Sequence, residues 1–114
     1  MANEFVTRRG LISLGGITFP YTSTTGTYTI GGDDYMIDCI SGTFTVTLPT
    51  AVGIAGKIYV VKNSGAGIIT VDTTSSQTID GILTRTLTTN GVLYVQSTGS
   101  NWIIGGPSGT SGTS

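Results

Sequence analysis

Apolar and polar residues alternate along short stretches of this chain, and turn-forming residues separate the stretches. The clearest alternation is Thr43–Leu48, where Phe44, Val46 and Leu48 face one side of a strand and three threonines face the other. The other candidate strands are Thr27–Ile30, Tyr35–Ile40, Lys57–Lys62, Ile68–Val71, Thr78–Gly81, Leu83–Thr88, Val92–Gln96 and Trp102–Ile104. Their regular spacing is typical of a sandwich, a small barrel or an intertwined β-fold.

The turn residues refine this pattern at two places. Asn90-Gly91 is the strongest hairpin signal in the chain, because both central residues of a type I′ turn need positive φ. It predicts a hairpin between the strand ending near Thr88 and the strand beginning at Val92. Only Ala51–Gly56 could hold a helical turn, and its glycines would keep that turn short.

The composition favours the same fold class. Hydrophobic residues make up 38% of the chain and charged residues only 10%, and the charged share is far below the usual value of about 25%. Threonine, a β-branched and strand-favouring residue, replaces much of the missing charge. We therefore predict an all-β protein of short antiparallel strands, in a sandwich or an intertwined trimeric β-fold, with an extended N-terminal leader.

The chain divides into three parts. Residues 1–20 form a leader whose apolar residues are too many for a solvated tail and too few for a domain. Residues 21–105 form the β-domain. Residues 106–114 have glycine at every third position, which is the register that a collagen triple helix requires; a flexible Gly/Ser linker is the alternative.

Both the leader and the strand edges of a small β-domain need to be covered. Exposed edges promote aggregation, and few charged residues are present to prevent it. Association of several copies would cover the edges and the leader together. We expect the leader to pack within a homotrimer.

Charge and targeting signals restrict the partners and the location. The net charge is −1, the pI is about 4.9, and no basic patch is present, so nucleic-acid binding is not expected. No signal peptide is visible at the N-terminus, and no apolar stretch approaches the length of a membrane span. We expect a product made in the host cytoplasm with no membrane partner.

Residues that could carry chemistry are scarce. Histidine is absent, which excludes Ser-His-Asp and Cys-His arrangements. Cys39 is the single cysteine, and we interpret it as a small buried hydrophobe rather than a reactive thiol. Asp33-Asp34 follows two glycines, and we interpret it as a turn rather than a calcium loop. We predict no enzyme activity and no catalytic, cofactor-binding or metal-binding residue.

Isolated carboxylates and aromatic residues are the remaining candidates. Asp38 and Asp80 stand alone, whereas acid–base catalysis would need a paired group and a cleft. Core or interface packing is the preferred interpretation of the aromatic residues, and a sugar-binding platform is the alternative. These aromatic residues are Tyr21, Tyr28, Tyr35, Tyr59, Tyr94 and Trp102.

Several motifs carry a resemblance to known viral proteins. They are TVTLP at 45–49, GKIYVVKN at 56–63, QTIDG at 77–81 and SNWII at 100–104. Together with the leader, they resemble β-domains in tail fibres of tailed phages and in surface proteins of large algal viruses (chloroviruses), over roughly residues 4–105. The resemblance implies a homotrimeric domain beside fibrous or collagen-like repeats, and it implies no catalytic residue.

The expected function follows from the tail and the resemblance together. We expect a structural trimerisation domain of a viral fibre or surface protein, which gathers three chains in register for a collagen-like stalk. Its place would be the virion surface or a fibre. A carbohydrate- or receptor-binding module at a fibre end, with a host surface glycan as partner, is the alternative.

Overall fold

The computed structural model describes residues 16–105, and every regular element within them is a β-strand, which confirms the all-β prediction. Residues 1–15 of the leader and the whole tail, 106–114, lie outside the described residues. The strands are β1 (Tyr21–Thr24), β2 (Tyr28–Thr29), β3 (Met36–Cys39), β4 (Phe44–Thr47), β5 (Ile58–Asn63), β6 (Ile69–Asp72), β7 (Arg85–Leu87), β8 (Val92–Ser97) and β9 (Trp102–Ile104).

The strands form two sheets that share one core. The five-stranded sheet has the order β1-β3-β5-β8-β9, and the four-stranded sheet has the order β2-β4-β6-β7. The first six strands alternate between the sheets, so each consecutive pair makes an arch from one sheet to the other. We call β1–β2 arch 1, β3–β4 arch 2 and β5–β6 arch 3.

The pairing is mixed, and this corrects the expectation of antiparallel strands. Arches 1, 2 and 3 stack in the same direction, so β1, β3 and β5 pair in parallel, and so do β2, β4 and β6. Antiparallel pairing begins where the chain turns back after arch 3, in the pairs β5–β8, β6–β7 and β8–β9. Alternating residues indicate a strand with one buried face, but they do not reveal the direction of its neighbour.

The predicted Asn90-Gly91 hairpin is also wrong. β7 pairs with β6 in one sheet and β8 pairs with β5 in the other, so the two strands are not partners. Asn90 has a positive φ of 68°, and the Gly91 N–H donates to the Thr88 carbonyl at 2.8 Å. Gly91 serves close packing, since a Cβ there would lie 2.9 Å from the Thr88 oxygen. Pairing with arch 3 therefore overrides the local turn preference.

Glycines allow the corners of the arches to stack closely. Gly42, at the corner of arch 2, has a φ of +98°, which favours glycine. A Cβ on Gly65, at the corner of arch 3, would lie 2.8 Å from the Ser41 Cα, and a Cβ on Gly67 would overlap the Gly42 carbonyl. The turn-like composition of these segments therefore reflects the contact between successive arches.

The core lies between the two sheets. Its ladders follow the strand register: Ile37 lies beside Val61, and Val46 beside Val71, all fully buried. Trp102 closes the core against Tyr59, with ring centroids 5.7 Å apart. The inward face predicted for Phe44, Val46 and Leu48 is observed, because Val46 and Leu48 are buried in the core and Phe44 packs against it.

One buried polar side chain joins arch 3 to the β7–β8 connection. The Asn63 side-chain amide donates to the carbonyls of Gly67 at 2.8 Å and Leu87 at 2.9 Å. Its Oδ1 accepts from the Gly65 N–H at 3.0 Å. The cost of burying this amide is offset because its donors and its acceptor are all used.

Candidate functional site

The two sheets present chemically different outer faces. On the five-stranded sheet, the side chains that alternate with core residues include a set of large apolar ones, which we call the apolar face. It consists of Tyr21, Met36, Ile58, Val60, Val92, Tyr94 and Ile103. Strand register places Tyr21, Met36, Val60 and Tyr94 in one row across four strands.

The apolar face combines exposed and buried residues. Val60 is fully buried although it is not part of the core cluster. Around it, Tyr21 is 64% exposed, Ile103 42% and Ile58 39%. A contiguous apolar face of this kind is characteristic of an interaction surface rather than of isolated surface residues.

The outer side of the four-stranded sheet is polar. We call it the threonine face, and it consists of Thr29, Thr45, Thr47, Thr70, Asp72 and Thr86. Thr45, Thr70 and Thr86 lie opposite one another across three strands. Threonine suits a solvated strand face, because it keeps the β-branched shape and presents a hydroxyl to water.

The chain leaves the β-domain beside the apolar face. The Gly105 N–H donates to the Tyr94 carbonyl at 3.0 Å, directly after β9. Gly105 therefore lies next to Tyr94, which belongs to the row of the apolar face. The glycine-triplet tail begins at the following residue, Gly106.

A groove of about 550 Å³ lies at one end of the five-stranded sheet, between the loops that precede β3 and β5. The Phe19 ring stacks on the Tyr35 ring with centroids 4.5 Å apart and planes at 21°. Asp33 and Ile58 also line the groove. Lys57 Nζ donates to the Gly32 carbonyl at 3.0 Å and so braces one loop against the other.

Asp34, at the same groove, is occupied by hydrogen bonds within the fold. Its Oδ2 accepts from the Tyr28 hydroxyl and from the Gly31 N–H, both at 2.8 Å, and its Oδ1 accepts from the Thr22 hydroxyl at 3.3 Å. The hydrogen bond to Asp34 raises the pKa of Tyr28. Asp34 thus joins the loop after β2 to arch 1 and has little capacity left for a ligand.

Cys39 and Asp38, next to each other in β3, point to opposite sides. Cys39 is in the core, where burial raises the pKa of its thiol to about 11, so the thiol is protonated at neutral pH. Asp38 is on the outer side, where it accepts from the Tyr21 hydroxyl at 2.6 Å and from the Ser64 hydroxyl at 2.5 Å. The bond to Asp38 raises the pKa of Tyr21.

The other candidate side chains lie apart from one another. Asp80 is in a loop with a φ of 52°, and its Oδ1 accepts from the Ile104 N–H at 3.2 Å. Tyr59 and Trp102 are core residues, and burial raises the pKa of Tyr59. The structure brings Tyr35 to the groove, and it places Tyr21 and Tyr94 on the apolar face.

Two searches of residues 16–105 yield nothing. They contain no group of three or more Cys, Asp or Glu side chains placed to hold a metal ion. Nor do they contain a helix with the length and apolarity that a membrane crossing requires.

The sequence does not reveal the apolar face on its own. It contains a signal, since Ile58-Tyr59-Val60-Val61 is a continuous apolar run in which both sides of the strand are apolar. In β8, however, the outward residues are Val92, Tyr94 and Gln96, which read as an ordinary strand. Only the register aligns these outward residues into one face.

Comparison of the chain with protein-family models, with curated proteins and with solved structures finds no match.

Proposed function

We propose that this protein is a structural trimerisation domain of a viral fibre or surface protein, and that the apolar face is its contact with the other copies. Three chains associate through this face and leave the assembly as gathered tails. The tails then begin a collagen-like stalk. The domain performs no chemistry and takes its place at the virion surface or in a fibre.

The contrast between the apolar face and the threonine face carries the proposal. Both faces lie on the outside of one domain and have the same strand geometry, yet one is lined by Ile, Val, Met and Tyr and the other by Thr. Burying apolar area contributes about 25 cal/mol for each Å² removed from water. An interface that covers the apolar face gains this free energy, and one that covers the threonine face does not.

The position and pattern of the tail support the number three. A collagen helix needs three chains in contact, with glycine at the axis. The tail begins at Gly106, one residue after the Gly105–Tyr94 hydrogen bond beside the apolar face. If the apolar faces surround a threefold axis, the three tails emerge close to that axis.

The mechanism is one of effective concentration and register. Three tails held together at one end meet at a local concentration far above that of free chains. The folded domains also start all three tails at the same residue. The slow alignment of repetitive chains is therefore removed before the stalk forms.

The test is the solution mass of the full chain, measured by light scattering at micromolar concentration. We expect the mass of a trimer for the native protein and of a monomer for the double variant Ile58→Thr, Ile103→Thr. Both residues are exposed in the single chain, so the fold should survive their replacement. The control is Ile82→Thr, Leu83→Thr, in the β6–β7 loop, where the two side chains are 51% and 52% exposed.

A native monomer would reject the proposal, and so would dissociation of the control alone. The stalk is tested separately by adding Gly-Pro-x triplets after Ser114. The collagen signal in circular dichroism should melt higher with the domain than in the same peptide alone.

A second candidate function, glycan binding, rests on the groove. An exposed aromatic stack beside an acidic side chain is the arrangement that contacts the faces and hydroxyls of sugars. Phe19 is 53% exposed and stacks on Tyr35 next to Asp33.

Glycan-array binding tests this second candidate. Phe19→Ala should abolish any binding, while Ile17→Ala, a residue with the same 53% exposure outside the groove, should not. Absence of binding to every glycan, or equal binding by both variants, would remove this candidate and leave the trimerisation proposal untouched.

A further inference from the structure

The stack of arches is closed at one end and open at the other. After arch 3, β8 and β7 pair with β5 and β6 and complete the two sheets. At the other end, β1 and β2 are the terminal strands of both sheet orders. Each of them pairs on one side only within the described residues, so the backbone groups on their other side form an open edge.

Side-chain burial confirms that arch 1 lacks a neighbour among the described residues. Its inward residues Thr22, Thr24 and Tyr28 are only half-buried. The residues beside them in arch 2 are fully buried, and these are Ile37, Cys39 and Val46. One more layer on arch 1 would cover both the open edge and this exposed end of the core.

A repeat in the sequence supplies that layer. Residues 5–16 read FVTRRGLISLGG, and residues 21–32 read YTSTTGTYTIGG. With a shift of sixteen residues, an aromatic residue aligns at the first position and glycines align at the corner and at the end. Hydroxyl residues align at two outward positions, and apolar residues align at the inward positions of the second strand.

The shift of sixteen residues already relates neighbouring layers where the structure describes both. Phe19 and Tyr35 are sixteen residues apart, and their rings stack at 4.5 Å. The connection also has the right length. Seven residues, 14–20, would join the new layer to β1, and six residues, 30–35, join β2 to β3.

We propose that residues 5–14 of this same chain form a fourth arch, which stacks in parallel on β1 and β2 and closes the open end of the core. Val6 lies over Thr22, and Leu14 lies over Ile30, inside the core. Phe5 extends the row of the apolar face beyond Tyr21. Arg8 and Arg9 fall at the corner, where their charges oppose the addition of a further strand.

This inference goes beyond the trimerisation proposal and holds for a monomer as well. Its test is a disulfide in the full chain with Thr7→Cys and Ser23→Cys, the aligned outward pair. Neighbouring strands lie about 4.8 Å apart, within the Cα separation of about 4.4–6.8 Å that a disulfide spans. The control pair is Ser13→Cys with Ser23→Cys, which the fourth arch places on opposite sheets.

We expect the aligned pair to form a disulfide within one chain, seen as a monomer on a non-reducing denaturing gel, and the control pair to form none. A cross-linked dimer would show that the leader of a second copy occupies the edge and would overturn the inference. Equal cross-linking of both pairs, or none in either, would overturn it too. The trimer mass is measured independently on the same samples, so failure of one proposal is distinct from failure of the other.

Hydrogen exchange gives a second readout that needs no cross-link. In Val6→Asp, Leu14→Asp, backbone amides of residues 21–30 should exchange about tenfold faster than in the native chain. The matched outward variant Thr7→Asp, Ser13→Asp should leave their exchange close to native. Equal exchange in the two variants would contradict the inward and outward assignment on which the fourth arch depends.

Discussion

The apolar face and the threonine face are built from the same kind of strand and differ in what each presents to its surroundings. Across β3, β5 and β8 the central outward row is Met36, Val60 and Tyr94. Across β4, β6 and β7 it is Thr45, Thr70 and Thr86. Both rows are compatible with strand geometry, so β-propensity does not explain the difference. The difference lies in solvation, and it identifies the apolar face as the one to be covered.

The largest expected effect separates the core from the threonine face within β4. Val46→Asp places an unpaired charge in the core and should cost about 4 kcal/mol or more of unfolding free energy, enough to prevent folding. Thr45→Asp, one residue away on the outer side, should stay within about 0.5 kcal/mol. Urea denaturation with circular dichroism measures both. Equal loss in the two variants would show that the threonine face is itself buried.

The next effect compares one residue from each outer face. Val60→Ala removes two buried methyl groups from the apolar face and should cost about 1–3 kcal/mol. Thr86→Ala on the threonine face should cost no more than about 0.5 kcal/mol. Both are measured by urea denaturation at one protein concentration, because association changes the apparent stability. If Val60→Ala were as mild as Thr86→Ala, burial on the apolar face would contribute nothing to folding.

A smaller effect concerns the inner side of β3. Because burial raises the pKa of the Cys39 thiol to about 11, the thiolate is nearly absent from the folded protein at pH 8. A thiol-alkylating reagent should therefore label the native chain far more slowly than the urea-unfolded chain, as measured by mass spectrometry. Rapid labelling of the native protein would place Cys39 in an accessible position.

The smallest effect is electrostatic and lies at the edge of the apolar face. The hydrogen bond to Asp38 raises the pKa of Tyr21 above its ordinary value of 10.0. A raised pKa in the folded state stabilises the fold below the unfolded value, and this contribution is lost as the pH rises through the folded value. Asp38→Asn should return the Tyr21 pKa toward 10.0, seen by NMR of labelled tyrosine rings. An unchanged titration would mean that the two side chains do not interact in solution.

Individual strands could be predicted from the sequence because a half-buried strand needs alternating residues. Thr43–Leu48 contains the strand Phe44–Thr47, and Lys57–Lys62 overlaps Ile58–Asn63. The arches could not be predicted this way, because the same alternation serves a hairpin within one sheet and an arch between two sheets. Asn90-Gly91 shows the consequence, since a strong local turn signal was outweighed by pairing with β5 and β6.

The groove and the apolar face depend on contacts between residues that are distant in sequence. Phe19 and Tyr35 are separated by sixteen residues, and Lys57 joins them only through the loop that it braces. The row from Tyr21 to Tyr94 crosses four strands, two pairings of which are parallel and one antiparallel. No local pattern contains this information, because each strand supplies a single residue to the row.

By itself, the sequence determined the β class, the alternating strand Thr43–Leu48 and the scarcity of residues able to carry out catalysis. These follow from composition and from the two-residue period of a strand, which act within a few residues. The tertiary structure decided which sheet each strand joins, the direction in which it runs, and which outer face is apolar. Those properties depend on register between strands up to 73 residues apart, such as Tyr21 and Tyr94, and register is set by the collective packing of the core and the glycine corners.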